Sequence, residues 1–386
     1  FSDRHEDIRI AASLAAATTQ DPAAIDALTR LLQDSSAAVR REAATSLGKL
    51  HAANAVPAIL KALEAPSDRT EEHALIFALI EMNDPTELAV ALSSASATTQ
   101  RGALWALDQM DDKTLTVGQV APLLGSNSSL VRDAALQVFV NHPEWNDKVA
   151  TLLDEWIQTP EKEGRAELVT GFVTTFAGSE PVARVIGGHL GSRSPKTVQL
   201  LIQSLARADQ LPLHETWTLP LTQSLASKDV TQLTATLAAV ASIRTDQFHD
   251  SLNRIASDEN ESATTRLLAI EAIARNSPQL QESVFAFLLE LLGEESSPQE
   301  RTTAARILSN SSLTAAQLEL LAGSLPGVGP LELRLLIQPY RRHYDAKTSR
   351  TFLQALASAK SFSTLAQNEV SDVVKGYPEE LLADSN

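Results

Sequence analysis

Residues 39–50 read VRREAATSLGKL, an arginine pair followed by small residues and two leucines. Val39, Ala43, Leu47 and Leu50 recur at steps of four, four and three, which places them on one face of an α-helix. Ala44 beside them is small enough to let a second helix come close. The preceding stretch, QDPAAIDALTRLLQDSS at 20–36, supplies that second helix. Asp21 can cap it, and Pro22 then occupies the first turn, where a missing N–H costs nothing. Ile25, Leu28 and Leu32 form its apolar stripe, and Asp34-Ser35-Ser36 breaks it and caps the next helix. Neither stripe can be buried by one pair alone, so the pair must stack on neighbours.

The phrase returns along the chain. IRIAASLAAA stands at 8–17, QRGALWALDQM at 100–110, LVRDAALQVFV at 130–140, TRLLAIEAIA at 265–274 and ERTTAARIL at 300–308. Anchored on the basic residue ahead of each apolar stretch, the units begin at Arg9, Arg40, Arg69, Arg101, Arg132, Arg165, Lys196, Arg266, Arg301 and Arg334. The gaps are 31, 29, 32, 31, 33, 31, 70, 35 and 33 residues. The gap of 70 is two periods, because VTQLTATLAAVAS at 230–242 repeats the helical pattern without a basic anchor. Such intervals are those of helical-pair arrays. The expected fold is all-α: a right-handed α-solenoid of about eleven helical pairs, forming one continuous array over 1–386. Residues 1–193 carry the regular repeats, and 194–386 the more divergent repeats and a C-terminal cap. The Asp34-to-Arg40 pattern predicts that loop aspartate and helix arginine bridge adjacent repeats.

Composition agrees. Aromatic residues are 4% of the 386, and the apolar content rests on Ala and Leu, which favour helices over strands. A net charge of −16 argues against a nucleic-acid binder, which needs cations to neutralise phosphates. No apolar run approaches the ~20 residues that span a membrane. The absence of cysteine excludes disulfides, thiolate metal sites, a cysteine nucleophile and CxxCH haem attachment within these residues. The first residue is Phe1 rather than Met, from which a mature or excised segment is expected.

The early prolines Pro22, Pro57 and Pro122, the short Asp/Asn/Ser turns, and the Val-Arg and Ala-Ala-x-x-Leu phrases resemble HEAT repeats. Neither the TPR Trp/Tyr/Pro spacing nor the ankyrin Thr-Pro-Leu-His phrase is present. A narrower resemblance rests on DRTEEHALIFALIEMNDP at 68–85, RGALWALDQM at 101–110, LTVGQVAPLL at 115–124 and NHPEW at 141–145. PGVGPLELRLL at 326–336 and GYPEE at 376–380 extend it. These phrases are similar to the HEAT segment of the large exported haem-binding proteins of planctomycetes and their relatives. In that family a membrane-bound-dehydrogenase-type propeller precedes the HEAT middle, and a cytochrome c module with CxxCH follows it. The resemblance implies the middle domain of an exported redox protein, periplasmic or at the cell surface. Any c-type haem would sit in a domain outside these residues, and no cofactor is expected within them.

Site chemistry is sparse. The eight histidines, His5, His51, His73, His142, His189, His214, His249 and His343, form no HExxH and no pair at helical spacing, so no metal site is expected. Glu72-His73 reads as a polar helix start with a partly buried ring. PGVGP at 326–330 reads as a turn and GGHLGSRS at 187–194 as a loose helix end, neither a phosphate cradle. Trp105 is expected in the core, and Trp145 as a helix-start staple.

One basic cluster interrupts the acidic background. RLLIQPYRRHYDAKTSR at 334–350 carries Arg334, Arg341, Arg342, Lys347 and Arg350, with Tyr340 and Tyr344 interleaved. Arg with Tyr is the composition of an interface anchor, so these seven residues are the candidate partner-binding site; a solvated helix end gives the same composition. The function expected is a non-catalytic scaffold or interaction domain, with protein or adjoining domains of the same polypeptide as partners, and neither nucleic acid nor membrane insertion. The alternative is an HEAT-like enzyme subunit with its own site on the concave face, which requires convergent His, Asp and Glu on successive helices. No catalytic residue is identified.

Overall fold

The computed structural model describes residues 1–110, 114–192, 194–276, 279–342 and 345–377. Helices carry almost all the regular structure. The exceptions are two strands, Leu211–Pro212 and Ile243–Arg244, paired in parallel, and a single bridge between Gln279 and Ser312. The fold is the all-α solenoid of helical pairs that the repeats predict. It divides into two compact units, one of Phe1–Trp156 with Glu161–Leu168, the other of Ile157–Pro160 with the residues from Val169 onward. The expected change of regularity at 193–194 falls inside the second unit.

In most pairs a short first helix precedes a longer second helix. In the first unit the second helices Glu6–Thr19, Ala37–Lys49, Arg69–Met82, Ala97–Gln109 and Ser129–Asn141 pack each upon the next. In the second unit Pro195–Leu205, Val230–Ala241, Ala263–Asn276, Pro298–Asn310 and Pro330–Leu336 do the same. The pair read from sequence forms as expected in most respects. The Asp21 carboxylate accepts from the Ala23 N–H at 3.0 Å, and Pro22–Ala24 makes a 3₁₀ turn into the helix Ile25–Leu31. Leu28, Val39, Ala43, Ala44 and Leu47 are fully buried, whereas Ile25 and Leu50 are only partly covered. Small residues set the approach: a Cβ on Gly48 would lie 2.9 Å from the Ala78 Cα of the next second helix.

The first three second helices are followed by a residue in the left-handed region, Gln20, His51 and Asn83, at φ of 53°, 49° and 51°. That conformation frees the last carbonyls for capping and reverses the chain into the next first helix.

The register of the repeats differs from the basic anchors in three places. Glu6–Thr19 is a second helix with no first helix before it among the described residues, so the Arg9 unit is half a pair. A pair not marked by any anchor, Ala346–Ala357 with Gln367–Val374, follows Arg334. The described residues thus hold eleven pairs after that lone helix. Arg69 and Lys196 sit in the first turns of their helices and are exposed, rather than at the position Arg40 occupies.

Candidate functional site

The fourth residue after the N-cap of a second helix is the position that the sequence phrase marks. Arg9, Arg40, Arg132, Arg266 and Arg301 stand there, after His5, Ser36, Ser128, Ser262 and Ser297. Each turns back onto a carbonyl in or near the turn ahead of its helix: Arg9 on Asp3 at 2.7 Å, Arg40 on Asp34 at 2.7 Å, Arg132 on Ser126 at 2.7 Å, Arg266 on Ala256 at 2.9 Å and Arg301 on Ser296 at 2.5 Å. Gln100 does the same to Leu92 at 2.9 Å. A guanidinium with several donors can hold a turn carbonyl and still face a neighbour.

For Arg9 and Arg40 that second contact is an acid of the adjoining repeat. Arg9 pairs with Asp34 at 2.8 Å and Arg40 with Glu71 at 2.5 Å. In the helix Arg69–Met82 the charge is inverted: Glu72 takes the position of Arg40 and receives Arg101 from the next helix. The expected bridge between loop aspartate and helix arginine is present, but it runs from Arg9 forward to Asp34, while Arg40 holds only the Asp34 carbonyl. The Arg9 guanidinium holds the Asp34 carboxyl below the usual carboxylate range. Glu71, almost wholly buried, falls from 4.5 to about 2, chiefly through the hydrogen bond from Arg40, with Ser67 adding two more.

The opposite ends of the second helices are also cross-linked, here through neutral groups and histidines. Gln20 donates to the Lys49 carbonyl at 3.2 Å, and the His51 Nδ1 meets the Glu81 carbonyl at 2.6 Å. His142 lies between Asp108 at 3.0 Å and Glu144 at 2.7 Å and stacks on Trp145, with centroids 4.1 Å apart. His214 caps its helix and reaches Glu180 at 3.0 Å, which holds the Glu180 carboxyl below the usual carboxylate range. These histidines are joints between repeats. Among the described residues no group of three or more His, Asp and Glu could hold a metal ion. No helix is long and apolar enough to cross a membrane.

The basic C-terminal cluster is dispersed. Tyr340 is fully buried rather than surface-exposed: its hydroxyl donates to the Leu318 carbonyl at 2.7 Å and its ring stacks on Phe352 at 4.2 Å. Burial pushes its phenol pKa up. Apolar flanks, Leu335-Leu336-Ile337 before it, are the signal that marks it as core. Arg334 pairs with Glu369 at 2.8 Å, Arg341 with Asp372 at 3.4 Å and Lys347 with Glu319 at 2.6 Å, each reaching a neighbouring helix. Arg350 is exposed. Tyr344 and the Arg342 side chain lie outside the described residues. The cluster therefore repeats, at the far end of the chain, the joining role of the first-unit arginines.

What the second helices leave uncovered is a row that sequence reading missed. The ninth residue after the N-cap is Leu14, Thr45, Phe77, Trp105 and Gln137 on five successive helices of the first unit. Phe77 is 41% and Trp105 36% exposed, so Trp105 is a surface residue and not core as expected. His73 is likewise exposed. The Arg101 guanidinium lies 5.2 Å over the Trp105 ring. Flat polar clefts lie in the second unit, one of about 410 Å³ lined by Gln199, Gln223, Asp229 and Gln232, another of about 500 Å³ where Arg266 covers Phe287 beside Glu259 and Glu290.

Comparisons with known proteins fit the fold. Residues 1–80 match the family model of HEAT repeats. No curated protein matches the sequence. Among solved structures the chain is similar to importin β crystallised with ammonium sulfate, at 12% identity and a TM-score of 0.52, over 95% of this chain and 60% of that one. It is similar also to importin β crystallised with polyethylene glycol, at 11% identity and a TM-score of 0.49, over 97% and 64%. The chain thus spans about three fifths of the length of these structures.

Proposed function

We infer that this chain is a non-catalytic interaction scaffold whose stacked second helices present the binding face. The observation that carries the reading is the division of labour on those helices. Their charged residues at the fourth position join the repeats to each other, while Phe77 and Trp105 at the ninth stand exposed with no such task. Rigid repeats that hold aromatic side chains on a shared surface are suited to protein recognition. The proteins it resembles in sequence place such a segment between a propeller and a cytochrome c module. On that footing its partners are adjoining domains of one exported redox polypeptide or a separate protein, the compartment is periplasmic or cell-surface, and haem belongs to the neighbour.

The test is site-specific photo-cross-linking in the full-length protein. A cross-linker in place of Trp105 should capture another domain or protein. One in place of Val90, which is exposed on the first helix Pro85–Ala91, should not. Capture from position 90 and none from 105 would overturn the reading.

A further inference from the structure

The helix Glu6–Thr19 leaves open a face that the second helices after it bury. The third residue after the N-cap is Val39, Glu71, Thr99 and Val131 on the four that follow in the first unit, and each is buried. The tenth is Ser46, Ala78, Ala106 and Val138, again buried on every helix. These positions face the preceding pair. The Ser46 hydroxyl donates to the Ser13 carbonyl at 2.9 Å, and the Thr99 hydroxyl to the Leu60 carbonyl on the first helix Val56–Ala62 at 3.4 Å. On Glu6–Thr19 the same two positions hold Ile8 and Ala15, and both are exposed, Ile8 by 49%. Ala11 between them is exposed as well. Ile8 stands where Val39 and Val131 are enclosed, and Ala15 where Ala78 and Ala106 let helices approach, so the residue types are those of a stacking face.

The turn ahead of this helix has the form that elsewhere closes a first helix. The His5 N–H donates to Asp3 Oδ1 at 2.9 Å, and the Arg9 guanidinium to the Asp3 carbonyl at 2.7 Å. The Ser36 N–H and Arg40 hold Asp34 through the same atoms at the same two distances. Two residues before Asp34 is Leu32, buried at the close of Ile25–Leu31, and Leu92 and Leu124 are buried at the same place ahead of Ser94 and Ser126. Two residues before Asp3 is Phe1, apolar and only partly covered. The last described helix, Gln367–Val374, is unlike this one. It exposes Gln367, Asn368, Ser371 and Asp372, the polar outer face that closes a repeat array. The open face of Glu6–Thr19 is instead apolar and continues the interface on which the later layers of the first unit stack.

We propose that this polypeptide carries a further helical repeat ahead of Phe1: a first helix that ends at Phe1, and before it a helical pair stacked on Ile8, Ala11 and Ala15. The occupant is specified by the chain's own repeats, as amphipathic helices with an apolar stripe toward Ile8 and small residues opposite Ala11 and Ala15. A second copy would cover the apolar face but leave Phe1 and the Asp3–His5 turn without their first helix. The inference goes beyond the scaffold reading and does not rest on Phe77 or Trp105.

Hydrogen exchange read by mass spectrometry, on residues 1–386 and on the full-length protein, tests it. In residues 1–386 the amides of Glu6–Thr19 should exchange about tenfold or more faster than those of Ala37–Lys49, because one side of the helix meets water. In the full-length protein the two helices should be protected alike. There Ile8→Asp should return Glu6–Thr19 to fast exchange and Ile8→Val should not, while in residues 1–386 both variants should exchange as the parent does. A photo-cross-linker at position 8 should join residues ahead of Phe1 in the same polypeptide. Equal exchange of Glu6–Thr19 in the two lengths, a cross-link from position 8 to a second copy or another protein, or a mature N-terminus at Phe1 by intact mass overturns the proposal. Cross-linking from position 105 is read separately, so failure here leaves the scaffold reading standing.

Discussion

The two units fasten equivalent helical pairs in different ways. In the first, arginines and acids of neighbouring repeats meet at the starts of the second helices, as Arg9 with Asp34, Arg40 with Glu71 and Arg101 with Glu72. In the second, Arg266 and Arg301 hold their turn carbonyls but make no ion pair among the described residues. Buried neutral donors cross between repeats there, beside ion pairs elsewhere on the helices such as Arg306 with Glu271 at 2.9 Å. Trp217 Nε1 donates to Ala183 at 2.7 Å, Ser242 to Leu205 at 2.8 Å, Tyr340 to Leu318 at 2.7 Å and Ser361 to Val328 at 2.9 Å. One architecture therefore tolerates two kinds of joint, because what must be satisfied is the buried polar group and not a particular partner. The two kinds should respond differently to mutation and to pH.

The largest effect is expected from the neutral joints. Trp217→Ala deletes a fully buried indole and its hydrogen bond to the Ala183 carbonyl, at a cost of about 3–5 kcal/mol to the second unit. Urea unfolding followed by hydrogen exchange should show amides of the second unit losing protection; uniform protection would mean that the joint is not local. Leu47→Ala, at a fully buried position of the first unit, should cost about 2–5 kcal/mol. A neutral result there would place the wrong face of Ala37–Lys49 inward.

Glu71 sharpens the contrast. Its folded pKa of about 2 lies below the ordinary 4.5, so its stabilisation is fully present above pH 4.5 and is lost as pH falls toward 2. Glu71→Gln should destabilise the first unit by about 2 kcal/mol at pH 7 and flatten its acid unfolding between pH 4.5 and 2. An unchanged acid profile would show that the ladder does not govern it. The smallest effect belongs to Arg341→Glu. Its partner Asp372 is exposed, so stability should change by at most about 1 kcal/mol, and high salt should erase the difference in melting temperature. A larger, salt-insensitive loss would reveal a buried role for Arg341.

The aromatic and basic residues show where sequence reading stopped. Tyr340 and Arg341 are neighbours in RLLIQPYRR, yet one ring is enclosed by Phe352 and the Leu318 carbonyl and the other side chain reaches Asp372. A composition-based interface reading could not separate them, because their surroundings come from residues 12 to 31 positions away. The opposite error occurred at Trp105, whose apolar neighbours made it look like core. The Arg40 phrase, by contrast, could be read locally, since its turn carbonyl lies six residues back.

The sequence by itself determined the helical pairs, their period and the inward stripe of Leu28, Val39 and Leu47. Helix periodicity, caps and breakers act over a few residues and repeat often enough to be counted. Only the tertiary structure decided that Glu72 answers Arg101, that the histidines are joints, and that Phe77 and Trp105 face outward one layer apart. Those outcomes depend on how one repeat is set upon the next, and a contact across about 30 residues leaves no periodic trace in the chain that makes it.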